Sequence, residues 1–318
     1  MSSAYKSAAY RATPTTLLAG ALATILALGP AGSLAQDIEP TTPQTAPPPP
    51  PEGSVGAMGD INLFPKRVVI NGRREIASIG LYNKTVNPGD YEIRLVDMAM
   101  TPDGRLLALD KEIDEATRAR VQTASGLLRH SPRRVALRGS ESQLVRVMAR
   151  AAADIPDGEY RSHFVVTSVP PIDSGLSIEN AAGGTSTEGI GVTIRPRFGI
   201  SIPVIVRIGE TTLDVGIEDI SLLTSQDGNR AIRFTVTRAG TRSAFGDVVV
   251  TAKGADQPVA ISKGIGVYPE VDSRQVTIPV NPELDPRFVS AGTRLRIEFI
   301  DDDFKPGAKL AEQEFVVP

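Results

Sequence analysis

"GIGVTIRPRFGISIPVIVR", Gly189 to Arg207, decides how this chain is read. Every even position is apolar: Ile190, Val192, Ile194, Pro196, Phe198, Ile200, Ile202, Val204 and Val206. The odd positions from Gly191 to Ser201 carry Thr193, Arg195, Arg197 and glycine or serine. Side chains alternate across a strand, so a period of two gives one oily face and one polar, basic face. Strands usually run about 5 or 6 residues. This pattern persists far longer, with prolines that a central strand would not accept. It predicts a long, edge-located strand with an apolar face.

Outward from that strand the chain divides. With 318 residues, 41% of them hydrophobic, two domains are expected, each with enough apolar surface for a core. Before the long strand come short runs rich in Val, Ile, Leu and Tyr, such as "KRVVI", "YEIRLVDMAM" and "YRSHFVVTSV", separated by "NPGD", "PDGR", "RGSE" and "PDGE". After it come "RAIRFTVTRAG", "GDVVVTAKG", "RQVTIPVN" and "RLRIEFIDDDF". Short strands with regular turn signals and no amphipathic helices predict an all-β chain of two sandwiches joined through the Gly189–Arg207 strand. One interruption, Asp110 to Leu128, has helix-forming composition and is expected to be a short helical insertion.

The chain start reads as a signal for export. Lys6 and Arg11 precede an apolar run from Leu17 to Leu28, followed by Ser33, Leu34 and Ala35, a small-residue pattern for cleavage after Ala35. Residues 36–58 are proline-rich, with Pro47 to Pro51 in a row, and predict an unpacked spacer. The expected division is 1–35 signal peptide, 36–58 spacer, 59–207 first sandwich and 208–318 second. There is no cysteine, hence neither a disulfide framework nor a thiol nucleophile. A net charge of -3, an aromatic content of 5% and no tryptophan argue against a nucleic-acid binder. No later stretch has the roughly 20 apolar residues of a membrane span.

Chemistry-bearing motifs are sparse. His130 and His163 are the two imidazoles, and there is no nucleophile elbow, phosphate loop or zinc spacing. No catalytic residue, metal or cofactor is expected. Asp301, Asp302 and Asp303 form one acidic cluster, read as a turn or an ion-pair partner in preference to a calcium site.

Three segments in order, "FPKRVVINGRREIASIGLYNKTVNPGDYEIRL", "SPRRVALRGSESQLVRVMAR" and "DGEYRSHFVVTSVPP", resemble the first domain of the PapD-like periplasmic chaperones of the chaperone-usher pilus pathway, and "RIEFIDDDF" is similar to that family's acidic segment. The resemblance implies two immunoglobulin-like sandwiches in an L, in the periplasm, with no enzymatic activity. It implies that the long strand completes the unfinished fold of a pilin-like subunit, which is then passed to an outer-membrane usher. Ile190, Val192, Ile194, Phe198, Ile200 and Ile202 are the expected client-binding side chains. It further implies a cationic anchor for the client's terminal carboxylate. Arg67 matches one member; Ser201 stands where the family has a lysine, and Arg195, Arg197 and Arg207 are the cations of the same parity that could substitute for it. An interdomain ion pair between Arg207 and Asp302 is also implied. An exposed edge invites self-pairing, so a client-free, self-capped dimer is an expectation too. The alternative is a structural or adhesive surface protein whose long strand is wholly internal.

Overall fold

The computed structural model describes residues 61–111, 113–170 and 197–318. The first sandwich begins with β1 (Ile61–Phe64) and β2 (Val68–Asn71), two halves of one extended run separated around Pro65. It continues through β3 (Ile76–Asn83) and β4 (Gly89–Val96). A hairpin, β5 (Met98–Met100) and β6 (Leu106–Ala108), and a helix, α1 (Glu115–Arg120), then leave the sandwich. The chain returns in β7 (Leu128–Ser131), β8 (Arg134–Leu137), β9 (Ser142–Ala149), β10 (Gly158–Val169) and β11 (Gly199–Ile208).

These strands form a four-stranded sheet, β1-β3-β9-β7, facing a five-stranded one, β2-β11-β10-β4-β8. Alternation builds the core between them. Leu63, Ile79, Leu81, Val145 and Val147 from one sheet meet Ile93, Phe164, Val166, Ile202 and Val204 from the other. Each such side chain contributes about 1.5–3 kcal/mol on full burial. Gly209 follows β11 with a φ of 63°, in the left-handed region that favours glycine at the turn into the second sandwich.

The second sandwich holds β12 (Leu213–Thr224), β13 (Arg230–Gly240), β14 (Ala244–Ala252), β15 (Ala260–Val267), β16 (Ser273–Pro279), β17 (Arg294–Asp301) and β18 (Lys309–Val316). The sheets are β12-β13-β16 and β15-β14-β17-β18. Phe234, Val236, Val248, Val250, Ile297 and Phe299 fill the space between them. Three strands against four is the strand count of a constant-type immunoglobulin domain. The chain is thus all-β with two sandwiches, as the periodicity predicts.

The expected short helical insertion is present as α1, with the Asp114 carboxylate accepting from the Thr117 N–H at 2.8 Å, and a single 3-10 turn follows over Ser125–Leu127. Between them the chain pairs with β10: the Arg161 N–H donates to the Gln122 carbonyl at 2.9 Å, and the Ala124 N–H to the Arg161 carbonyl at 3.1 Å. There tertiary bonds prevail over helical propensity. Together the hairpin and helix form a strap onto the second sandwich. Met100 is buried in the second core, the Gln275 N–H donates to the Pro102 carbonyl at 2.9 Å, and Arg120 reaches both Asp272 oxygens at 2.9 and 2.5 Å.

Candidate functional site: an open strand edge beside a buried charged seam

On one side β11 is paired antiparallel with β10 along its whole length, Gly199 opposite Thr167 and Ile208 opposite Gly158. On the other, β2 pairs with it in parallel only from Val204 to Arg207. Gly199 to Pro203 therefore have no paired strand on that side among the described residues. The Ser168 N–H donates to the Phe198 carbonyl and the Gly72 N–H to the Arg207 carbonyl, each at 2.8 Å. Alternation along the strand thus turns the backbone of even residues toward β10 and that of odd residues toward the open edge. Pro203 falls at an odd position, where a missing N–H costs no ladder bond, which is how a proline is accommodated in this strand.

The side chains follow the same parity. Ile200 is 7% exposed and Ile202 1%, both within the core of their own sandwich. They are corrected accordingly: the face assigned to a client is the one that packs against Phe164 and its neighbours at home. Phe198 is exposed and Ser201 lies on the outer face. Ile190, Val192 and Ile194 lie outside the described residues.

From Val204 onward both faces of β11 are buried, because Ile205 enters the second core together with Met100. Here the two sandwiches meet through charge. Arg207, 5% exposed, donates from Nε to Glu159 at 3.0 Å and from both terminal nitrogens to Asp303. Asp303 also receives Arg67 Nη2 at 2.9 Å, and Arg67 donates to the Ser243 hydroxyl at 2.9 Å while stacking 4.4 Å over the Phe245 ring. Glu159 accepts from the Ser243 N–H at 3.2 Å. Burial acts to raise the Asp303 carboxyl, but the Arg207 hydrogen bond and the charges of Arg67 and Arg207 outweigh it and hold the group below the usual carboxylate range.

The expected partner of Arg207 was Asp302; the structure places Asp303 there. The turn decides it. Asp301 accepts the backbone N–H groups of Asp303, Phe304 and Lys305 at 2.9, 3.1 and 2.9 Å, which folds the chain so that Asp302 faces solvent and Asp303 faces the seam.

The anchor residues are not brought together. Arg67 precedes Val68, which is opposite Val204, so Arg67 is level with Pro203, and Ser201 lies roughly 7 Å and Arg197 roughly 20 Å back along the strand at about 3.3 Å per residue. Arg197 instead donates to the Ser168 carbonyl at 3.2 Å and stands 3.8 Å from Glu92. Arg67, with its side chain 8% exposed, is committed to Asp303.

A second buried pair was not expected. Arg161 on β10 meets Glu270 of the second sandwich at 2.5 and 3.2 Å, with side chains 3% and 2% exposed, and lies 3.6 Å over the Tyr268 ring. Glu270 also accepts the Met100 N–H at 2.7 Å. The sequence held one signal: Glu159, Arg161 and His163 sit at a period of two on an otherwise apolar strand, marking a polar face that must be covered. His163 completes that row. It is 1% exposed, neither ring nitrogen has a hydrogen-bond partner among the described residues, and burial, then the charges of Arg161 and Arg67, push its pKa down to about 3. It is a neutral, sealed imidazole.

No family model and no curated protein matches the chain. Solved structures do. It is similar to the YadV chaperone at 15% identity over 81% of this chain and all of that one, with a TM-score of 0.42. The Escherichia coli chaperone DraB is 13% identical over 81% of this chain and 96% of its own, at 0.40. One chain of the Salmonella enterica SafA pilin complex with the SafB chaperone is 14% identical, at 0.39, over 82% of this chain and 98% of that one.

Proposed function

We propose that this protein is an exported, non-enzymatic chaperone that lends the open edge of β11 to pilin-like subunits whose own sandwich lacks a strand. The observation that carries this reading is the unpaired stretch from Gly199 to Pro203, bounded on one side by β2 at Val204 and continued on the other by the alternating stripe that begins at Ile190. An incoming strand would find the N–H and C=O of Gly199 and Ser201 and the C=O of Pro203, each bond contributing about 0.5–1.5 kcal/mol net. Ile190, Val192 and Ile194 would enter the subunit's groove, each contributing about 1.5–3 kcal/mol on burial. Side chains therefore outweigh the backbone, and both outweigh an anchor.

Arg67 has two nitrogens, Nε and Nη1, without a hydrogen-bond partner among the described residues, and it stands where the open edge meets β2. It would mark the end of the bound strand and set its register. Its charge is shared with Asp303, so affinity rests on the strand. Held this way in the periplasm, a subunit would keep its folding energy until transfer to an outer-membrane usher, with no nucleotide required.

The test is recovery of partners from the native periplasm by a tagged protein, comparing wild type with a Val192→Asp, Ile194→Asp double variant of unchanged melting temperature. Small pilin-like proteins recovered only by wild type support strand donation. Identical partners for both, or none for either, favour a structural module whose long strand is internal.

A further inference from the structure

At one edge of the first sandwich β4 runs past its pairing with β8. β4 pairs with β8 only from Gly89 to Glu92. Beyond that, the Ile93 N–H donates to the Arg133 carbonyl at 2.8 Å, and the Ile93 carbonyl accepts from His130 Nε2 at 3.1 Å. Alternation turns the N–H and C=O of Leu95 toward the same edge, and no hydrogen bond reaches them there among the described residues. The corner opens into a cavity of about 460 Å3, lined by an apolar wall of Leu95 and Leu128 and by Arg94, Arg129 and Arg133.

The charge here is one-sided. Arg94 and Arg133 make no ion pair or side-chain hydrogen bond among the described residues. Arg129 is steadied by the Gly126 and Leu128 carbonyls at 3.2 and 2.7 Å through one nitrogen, leaving the rest of its guanidinium available. Glu92 is the one carboxylate of the lining, and Arg197 stands 3.8 Å from it. His130 uses its Nε2–H on Ile93, and burial, with the Arg133 charge, lowers its pKa, so it adds no positive charge near neutral pH. Three guanidinium groups thus face one carboxylate, in a chain whose net charge is -3.

We propose that this corner binds an extended acidic segment of a partner protein, which adds to β4 at Leu95, sets carboxylates against Arg94 and Arg133, and lays an aliphatic side chain on Leu95 and Leu128. A free phosphate or sulfate would answer the arginines alone. A peptide alternating acidic and aliphatic residues answers the cations, the unpaired backbone and the apolar wall together. The site is separate from the open edge of β11, so it stands or falls independently of the chaperone reading.

The probe is a fluorescein-labelled, C-terminally amidated peptide of sequence Glu-Val-Glu-Leu-Glu, followed by anisotropy with the full chain. Wild type should bind it. An Arg94→Ser, Arg133→Ser double variant, with exposed side chains and hence an unchanged melting temperature, should bind at least about tenfold more weakly. Raising salt to about 0.5 M should weaken wild type toward the variant. No binding by wild type overturns the proposal, as does equal binding by the variant. Displacement of the peptide by inorganic phosphate at matched ionic strength also overturns it, leaving a small-anion site.

Discussion

Acidification from pH 7 to pH 4 should destabilise this protein through His163. In the folded chain burial, with the charges of Arg161 and Arg67, lowers the imidazole from 6.5 to about 3, so it stays neutral while the unfolded chain takes up a proton below pH 6.5. The unfolded state then binds more protons, and stability falls as pH falls. The loss begins near pH 6.5, approaches about 1.4 kcal/mol per pH unit, and levels off near the folded value. At pH 4, two and a half units below the unfolded value, it amounts to about 3 kcal/mol. Urea titrations followed by circular dichroism at several pH values measure it. The comparison is with His163→Leu, which keeps apolar volume in the same place and cannot titrate. Between pH 7 and pH 4 wild type should lose about 3 kcal/mol more than the variant. His130 and Asp303 are present in both proteins, so their contributions cancel. Parallel loss in the two proteins would refute the reasoning, showing that His163 gains solvent or a partner in acid.

Other outcomes follow from the seam and the strap. Asp303→Asn leaves Arg67 and Arg207 buried without their shared carboxylate and should cost about 3–5 kcal/mol, whereas Asp302→Asn, at an exposed side chain, should stay within about 0.5 kcal/mol; thermal melts of the two variants decide whether the ion pair is drawn to the right aspartate. Arg161→Met and Glu270→Leu should each be strongly destabilising alone, yet the double variant should recover most of the loss, because an apolar pair replaces a desolvated ionic one; additive losses in the cycle would contradict this. Arg120→Ala breaks an exposed pair with Asp272 (side chains 43% and 74% accessible) and should change stability by less than about 1 kcal/mol, a larger loss in urea titration being evidence that the strap carries more of the second sandwich than its contacts indicate.

Much of the fold was legible because it is periodic. The alternation from Ile200 to Val206 is carried by β11 with its even residues inward, and the turn signals separate strands of both sandwiches. The same periodicity was silent on which neighbour each face would meet. Ile200 and Ile202 carry the same pattern whether they serve a home core or a client, and only the facing sheet with Phe164 distinguishes the two. The seam was less legible. Choosing between Asp302 and Asp303 depends on a turn folded by the Asp301 carboxylate, which has no period, and Arg161 finds Glu270 across 109 positions of sequence. Composition foretold the helix of the insertion, Glu115–Arg120, but as a local preference it could not show that Gln122 and Ala124 are held by β10.

Pro203 has a further effect on which chains can use the edge of β11. Without its N–H, the open stretch offers two donors, on Gly199 and Ser201, so two copies meeting edge to edge along it would share about four N–H···O=C bonds. At about 0.5–1.5 kcal/mol each, these fall short of, or barely match, the roughly 4–15 kcal/mol that association costs in lost freedom of motion. A sister molecule with its own core already closed brings little else to this stretch. On the proposed strand-donation reading a chain with an unfilled groove would bring apolar burial as well, so an edge whose described stretch gives sister copies so few bonds to share would discriminate in favour of an unfinished fold.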